Sequence, residues 1–153
     1  MINNTFVKYW VPVILWVGFT FWMSTGTFNE NHTSLIIEPI LRFFLPHSPE
    51  STIVFIHGII RKLAHVTEYF ALGLLLYRAI HGQFKNLELS QGILYALLIV
   101  MLLAGADEYH QSFVSTRTAS IVDVGFDTFG GFLGLCVILL WNRLKSKNLI
   151  EKM

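Results

Sequence analysis

Charge and cysteine are both scarce in this chain. Asp, Glu, Lys and Arg together make up 14% of 153 residues while 54% are hydrophobic, and the mean hydropathy is +0.56. Soluble domains carry roughly one-quarter charged residues, so this composition excludes an ordinary water-soluble domain and implies an integral membrane protein. The formal net charge of +1 supplies no broad basic field, which excludes nucleic acid as a partner. One cysteine, Cys136, excludes an internal disulfide; set in an apolar run, it reads as a buried spectator thiol. Familiar hydrolase signatures are missing too: no Gly-x-Ser-x-Gly, no His-Glu-x-x-His and no Pro-Ser-Gly-His block.

Long apolar runs are what the chain has instead. Four of them, at about residues 6–23, 63–80, 91–106 and 121–141, predict an all-α polytopic transmembrane helix bundle in a single domain spanning 1–153. The first reads as a retained span, since Trp10, Trp16 and Trp22 recur along it and no small-residue cleavage motif follows. Pro12 is expected near its start, where a missing N–H costs little. Leu35–Leu45 is apolar but too short to span, and reads as an outer interfacial or re-entrant segment. Ser51 or Thr52, Ser90, and Ser120 with Asp123 are expected helix caps, the last pair resembling a capping box.

Basic residues suggest an orientation. Arg78 and Lys85 flank the second connection, and Arg143, Lys145, Lys147 and Lys152 follow the last span. The positive-inside rule then predicts a multi-pass cell-membrane protein with both termini cytoplasmic. The second span would begin outside, the third end outside and the fourth begin outside. Three helices would so deliver their polar residues to one outer level.

Those residues carry the functional expectation, because charge beside or within a bilayer is expensive. Lys62, His65 and Tyr69 share one helix face, with Glu68 beside them. Asp107, His110 and Gln111 do the same, next to Glu108. Asp123 and Asp127 lie four apart, on a face that continues to Gly130, Gly131 and Gly134, where a neighbouring helix can approach closely. Five acids (Glu68, Asp107, Glu108, Asp123, Asp127) face three cations (Arg61, Lys62, Arg117). Protonated His65 and His110, one divalent cation, or carboxyls kept neutral by burial would each balance the excess. A structural salt-bridge web clipping three helices together is the alternative reading.

These residues resemble the VanZ-like family, named for a protein associated with teicoplanin resistance. The first block is Lys62, His65, Tyr69, Leu72 and Gly73. The second is Asp107, Glu108, Gln111, Phe113, Arg117, Asp123, Asp127 and Gly130; Ser24 also fits. The resemblance implies a small polytopic membrane protein of the bacterial cell envelope, linked to glycopeptide susceptibility.

Three functions are open at this point. In the first, the protein works on an amphiphilic lipid or lipid-linked envelope substrate at the outer leaflet. His65, Glu68, Tyr69, Asp107, Glu108, His110, Asp123 and Asp127 are then the candidate catalytic residues. His65 or His110 would act as general acid or base. Lys62, Gln111, Arg117 and Ser24 would bind substrate, with Arg117 and Lys62 holding its anionic head. In the second, the protein only binds or shields, capturing a lipoglycopeptide or a lipid-linked wall precursor. The third is an ion- or proton-coupled carrier. Sequence alone does not decide whether the protein is an enzyme or whether it holds a divalent cation.

Overall fold

The computed structural model describes residues 4–115 and 119–150. They form five α-helices: α1 (Asn4–Met23), α2 (Glu30–Phe44), α3 (Glu50–Gln83), α4 (Leu89–Gln111) and α5 (Ile121–Ile150). A single 3-10 turn, Gly26–Phe28, joins α1 to α2. The expected all-helical bundle is what forms. Within it, α1, α4 and α5 are each long and apolar enough to cross a membrane. The expected second span, 63–80, is part of α3, where His65, Glu68 and Arg78 dilute its apolar character.

α3 is the central helix. It packs on α1, α4, α5 and α2. At 34 residues it is about 50 Å long at ~1.5 Å per residue. The buried core lies where Tyr69, Leu72, Leu76 and Ile80 of α3 meet Ala96, Val100 and Ala104 of α4 and Leu135 of α5. The outer perimeter is apolar as well: Leu15, Leu98, Leu102, Phe132 and Leu140 are all exposed. An apolar exterior around closed backbone hydrogen bonding suits hydrocarbon, not water.

Parallel helices α3 and α5 touch backbone to backbone. A Cβ on Gly130 would collide with the Val66 carbonyl oxygen, and one on Gly134 with that of Phe70. A Cβ on Gly73 would lie 2.6 Å from the Gly131 oxygen. Only glycine permits this approach, and it brings the α3 and α5 side chains on either side of the seam face to face.

Several local expectations are corrected. α3 begins at Glu50 behind Pro49, and no side chain caps it, so neither Ser51 nor Thr52 has that role. Proline at the cap position has no side-chain acceptor, and its carbonyl takes the Thr52 and Ile53 N–H groups at 3.0 and 3.4 Å. α4 is capped by Glu88, not Ser90, through a reciprocal box in which the Gln91 side chain accepts the Glu88 N–H at 3.1 Å. Pro12 lies well inside α1, because that helix already begins at Asn4. Its ring removes an interior hydrogen bond and lines an apolar groove with Ala71 and Leu75 of α3. The short apolar segment expected at Leu35–Leu45 is longer, Glu30–Phe44. Asn29 caps it by accepting the His32 N–H at 2.9 Å, so α2 starts at Glu30. Cys136 is half-buried, not buried.

α2 folds back along the N-terminal part of α3. Three side-chain contacts set the antiparallel register: Glu30 with Arg61 at 3.2 Å, Thr33 with His57 at 3.1 Å, and Arg42 with Glu50 beside the turn. His57 is buried by this contact, whereas Leu35, Ile36, Phe43 and Phe44 of α2 stay exposed.

Candidate functional site

The first wall of the site is built by the start of α5. Ser120 caps it, accepting the Val122 N–H at 3.2 Å. In a capping box, residue 123 would take the Ser120 N–H. Here Glu108 of α4 takes it, at 2.7 Å. Asp123 is thereby released to pair with Lys62 of α3, Nζ to Oδ1 at 2.7 Å. The same ammonium lies 4.6 Å from the Phe126 ring centroid. A residue that reads as a local cap therefore makes a tertiary contact, and Glu108 ties α4 to the start of α5.

One turn deeper, His65 Nδ1 faces Asp127 Oδ1 at 3.7 Å. Gly130 lies three residues on from Asp127, so the close seam is what holds this pair across the interface. Asp127 is only 1% exposed. No hydrogen-bond donor among the described residues reaches either of its oxygens. At that distance the imidazole is beyond hydrogen-bond length, and the two form an ion pair only when His65 is protonated.

Ser24, Asp107 and Gln111 form the second wall, where the ends of α1 and α4 meet. Ser24 Oγ donates to Asp107 Oδ2 at 2.5 Å. Gln111 Nε2 donates to the same Oδ2 at 3.2 Å and to Ser24 Oγ at 3.1 Å. Asp107 and Ser24 are fully buried. One Asp107 oxygen is thus held by two donors, and Oδ1 has no donor among the described residues.

Between these walls lies a cavity of about 310 Å³, lined by Glu30, Gly58, Arg61, Lys62, His65, Glu108, Gln111, Asp123, Phe126 and Asp127. Six of the sequence candidates, Lys62, His65, Glu108, Gln111, Asp123 and Asp127, line it directly. Asp107 and Ser24 join through Gln111. Tyr69 is buried on the same face of α3, and its hydroxyl has no hydrogen-bond partner among the described residues. Glu68 acts partly through its backbone, whose carbonyl accepts the Trp16 indole N–H of α1 at 2.9 Å.

His110 does not share the cavity. Its ring packs near Phe21 of α1, with centroids 6.0 Å apart. Position 110 shares a helix face with Asp107 in sequence, yet the turn of α4 aims it at a different neighbour. Arg117 lies outside the described residues. Glu30 joins the site without any sequence motif, brought there by the antiparallel register of α2 on α3; its opposite charge to Arg61 was the only available signal. His57, outside the cavity lining, was likewise unmarked.

Three helices long and apolar enough to cross a membrane, an apolar perimeter and an acid-rich pocket at the helix ends define a small all-helical membrane protein with an internal polar site. Its membership follows from sequence: a family model described as VanZ/LLP1 matches residues 9–142, and the chain belongs to that family. No curated protein and no solved structure matches it.

Proposed function

We propose that the cavity binds the charged head group of an envelope amphiphile, a lipid or lipid-linked intermediate, at the outer leaflet. One observation carries this reading: cations stand at the rim and an acid–base pair at the floor. Arg61 and the half-exposed Lys62 (50% exposed side chain) stand where an anionic group would enter. Behind them, His65 and Asp127 are placed to accept or donate a proton. An exposed apolar residue, Phe126, stands in the lining, where an acyl or prenyl tail would rest.

The orientation belongs to the same proposal. Arg78, Lys85, Arg143, Lys145 and Lys147 lie toward the end of the bundle away from the cavity. By the positive-inside rule, that end is cytoplasmic and the cavity faces outward. α3 would then complete four spans, with its N-terminal part and α2 lying at the outer surface. In a Cys136→Ser background, an impermeant thiol reagent applied to intact cells should label Ser115→Cys and spare Gln83→Cys. The reverse pattern overturns the orientation.

Binding is tested in nanodiscs with a fluorescent polyprenyl phosphate, and with a lipid-tailed glycopeptide against a tail-less one. Lys62→Ala and His65→Ala should each weaken binding by about tenfold or more, since a charge-assisted contact is worth ~1.5–3 kcal/mol. Arg143→Ala, at the opposite end, should not. Equal affinity in all three variants refutes the head-group site. Preference for the tailed glycopeptide over the phosphate favours a shielding protein over a lipid-processing one.

A further inference from the structure

Two buried carboxylates, Asp127 in the cavity lining and Asp107 behind Gln111, share a property that head-group binding leaves unexplained. Asp127 is nearly inaccessible, and neither of its oxygens has a hydrogen-bond donor among the described residues. Asp107 is fully inaccessible, and its Oδ1 is in the same condition. Buried carboxylate oxygens without donors are costly unless a cation meets them. A third donor stands with them: ligand atoms of His65, Asp107 and Asp127 all lie within 4.8 Å of one another.

We propose that His65, Asp107 and Asp127 form a binding site for one divalent first-row transition cation such as Zn²⁺ or Mn²⁺. The donor set decides the class. Two hard carboxylates and one borderline imidazole suit Zn²⁺, Mn²⁺ or Fe²⁺; Ca²⁺ and Mg²⁺ prefer oxygen throughout. Three protein ligands leave a position open for water or for a bound oxyanion, as in catalytic sites and unlike closed structural ones. A spread of 4.8 Å is slightly wide for ligands about 2.0–2.2 Å from a common ion.

The surroundings of Asp107 supply the independent observation. Metal-ligating carboxylates are themselves hydrogen-bonded on the oxygen that does not face the ion. Ser24 and Gln111 both donate to Oδ2 and leave Oδ1 bare. That asymmetry fixes the carboxylate plane and orients one oxygen for a ligand. Charge balance agrees, because four carboxylates (Glu30, Glu108, Asp123, Asp127) line the cavity against two cations (Arg61, Lys62), and Asp107 lies behind them. The site stands on this geometry whether or not the cavity takes an amphiphile.

Tag-free protein is stripped with chelator and titrated with Zn²⁺ and Mn²⁺ by calorimetry. Bound metal is counted by elemental analysis, and Co²⁺ absorption reports coordination. The expected result is one ion per chain, a higher melting temperature with metal, and Co²⁺ bands of a low-coordinate site with a nitrogen ligand. His65→Gln, Asp107→Asn and Asp127→Asn should each remove saturable binding. Ser24→Ala should weaken it about 10–100-fold while leaving stoichiometry unchanged. His47→Ala, an exposed imidazole in the α2–α3 turn, should bind like wild type. Absence of saturable binding of both ions to folded wild type overturns the site, and so does binding that survives all three ligand substitutions. A ligand variant that fails to extract as folded protein leaves the wild-type titration and Ser24→Ala to decide. Loss of lipid binding with metal binding intact would count against the head-group reading alone.

Discussion

The two ends of this bundle solve the same packing problem with different chemistry. Away from the cavity, α1, α3 and α4 meet through aromatic rings. Tyr9 lies against Gly82, where a Cβ would come within 2.6 Å of its ring, and Arg78 and Lys8 each stand 5.3 Å from its centroid. Tyr77 stacks on His81 at 5.5 Å and covers Gly92. Arg78 keeps its charge at the surface there. At the cavity end, the same helices and α5 bury Asp107, Glu108 and Asp127. Because an aromatic and glycine interface already holds these helices at one end, buried acids are not required to hold them at the other. That difference is the strongest argument that the acidic cluster has a chemical purpose.

The largest expected effect removes the frame that both ends share. Gly130→Leu would force a side chain into the Val66 backbone, and no folded protein should survive detergent extraction and size exclusion. Gly130→Ala should cost about 1–3 kcal/mol, as overpacking does. Gly125→Ala, with nothing within 4 Å, should be neutral or slightly stabilising, since alanine favours the helix by ~0.5–1 kcal/mol. A tolerated Gly130→Leu would mean that the α3–α5 seam is not what aligns His65 with Asp127.

Next in size is the separation of function from stability at Asp127. Asp127→Asn should abolish ligand or metal binding while changing the unfolding free energy of metal-free protein by under ~1 kcal/mol, because its oxygens hold no donor to lose. Thermal unfolding in detergent checks this. A loss near ~3–5 kcal/mol, the usual cost of breaking a buried pair, would show that the cluster is a structural clip after all. Gln111→Leu should be intermediate. It strips a donor from Asp107 and Ser24 and should cost about 1–3 kcal/mol, with weakened binding as well. If stability falls and binding does not, the Asp107 network serves only packing.

The smallest effect belongs to the aromatic end. Arg78→Ala removes a surface cation from the Tyr9 ring and should cost about 0.5–1 kcal/mol, with cavity binding unchanged. Any loss of binding there would couple the two ends and weaken the contrast between them.

Much of this molecule could be read from residues alone. Apolar runs predicted the helices, because burying backbone polar groups in lipid leaves few alternatives. Helical periodicity placed Lys62, His65 and Tyr69 on one face, and Asp107 with Gln111 on another, because residues three and four apart stack by the geometry of a single helix. The Gly130 and Gly134 spacing marked the α5 face that a neighbour approaches. Periodicity does not say which neighbour each face meets. That depends on crossing geometry and register between helices, which involve residues distant in the chain. For that reason only the tertiary structure paired Asp123 with Lys62 instead of with its own cap, and handed the Ser120 N–H to Glu108. It also turned His110 toward Phe21 and brought Glu30 beside Arg61. The full length of α3 is not legible in sequence for a related reason: Arg61 and Lys62 interrupt its apolar pattern, whereas the folded helix runs through them, packed against α2 and α5.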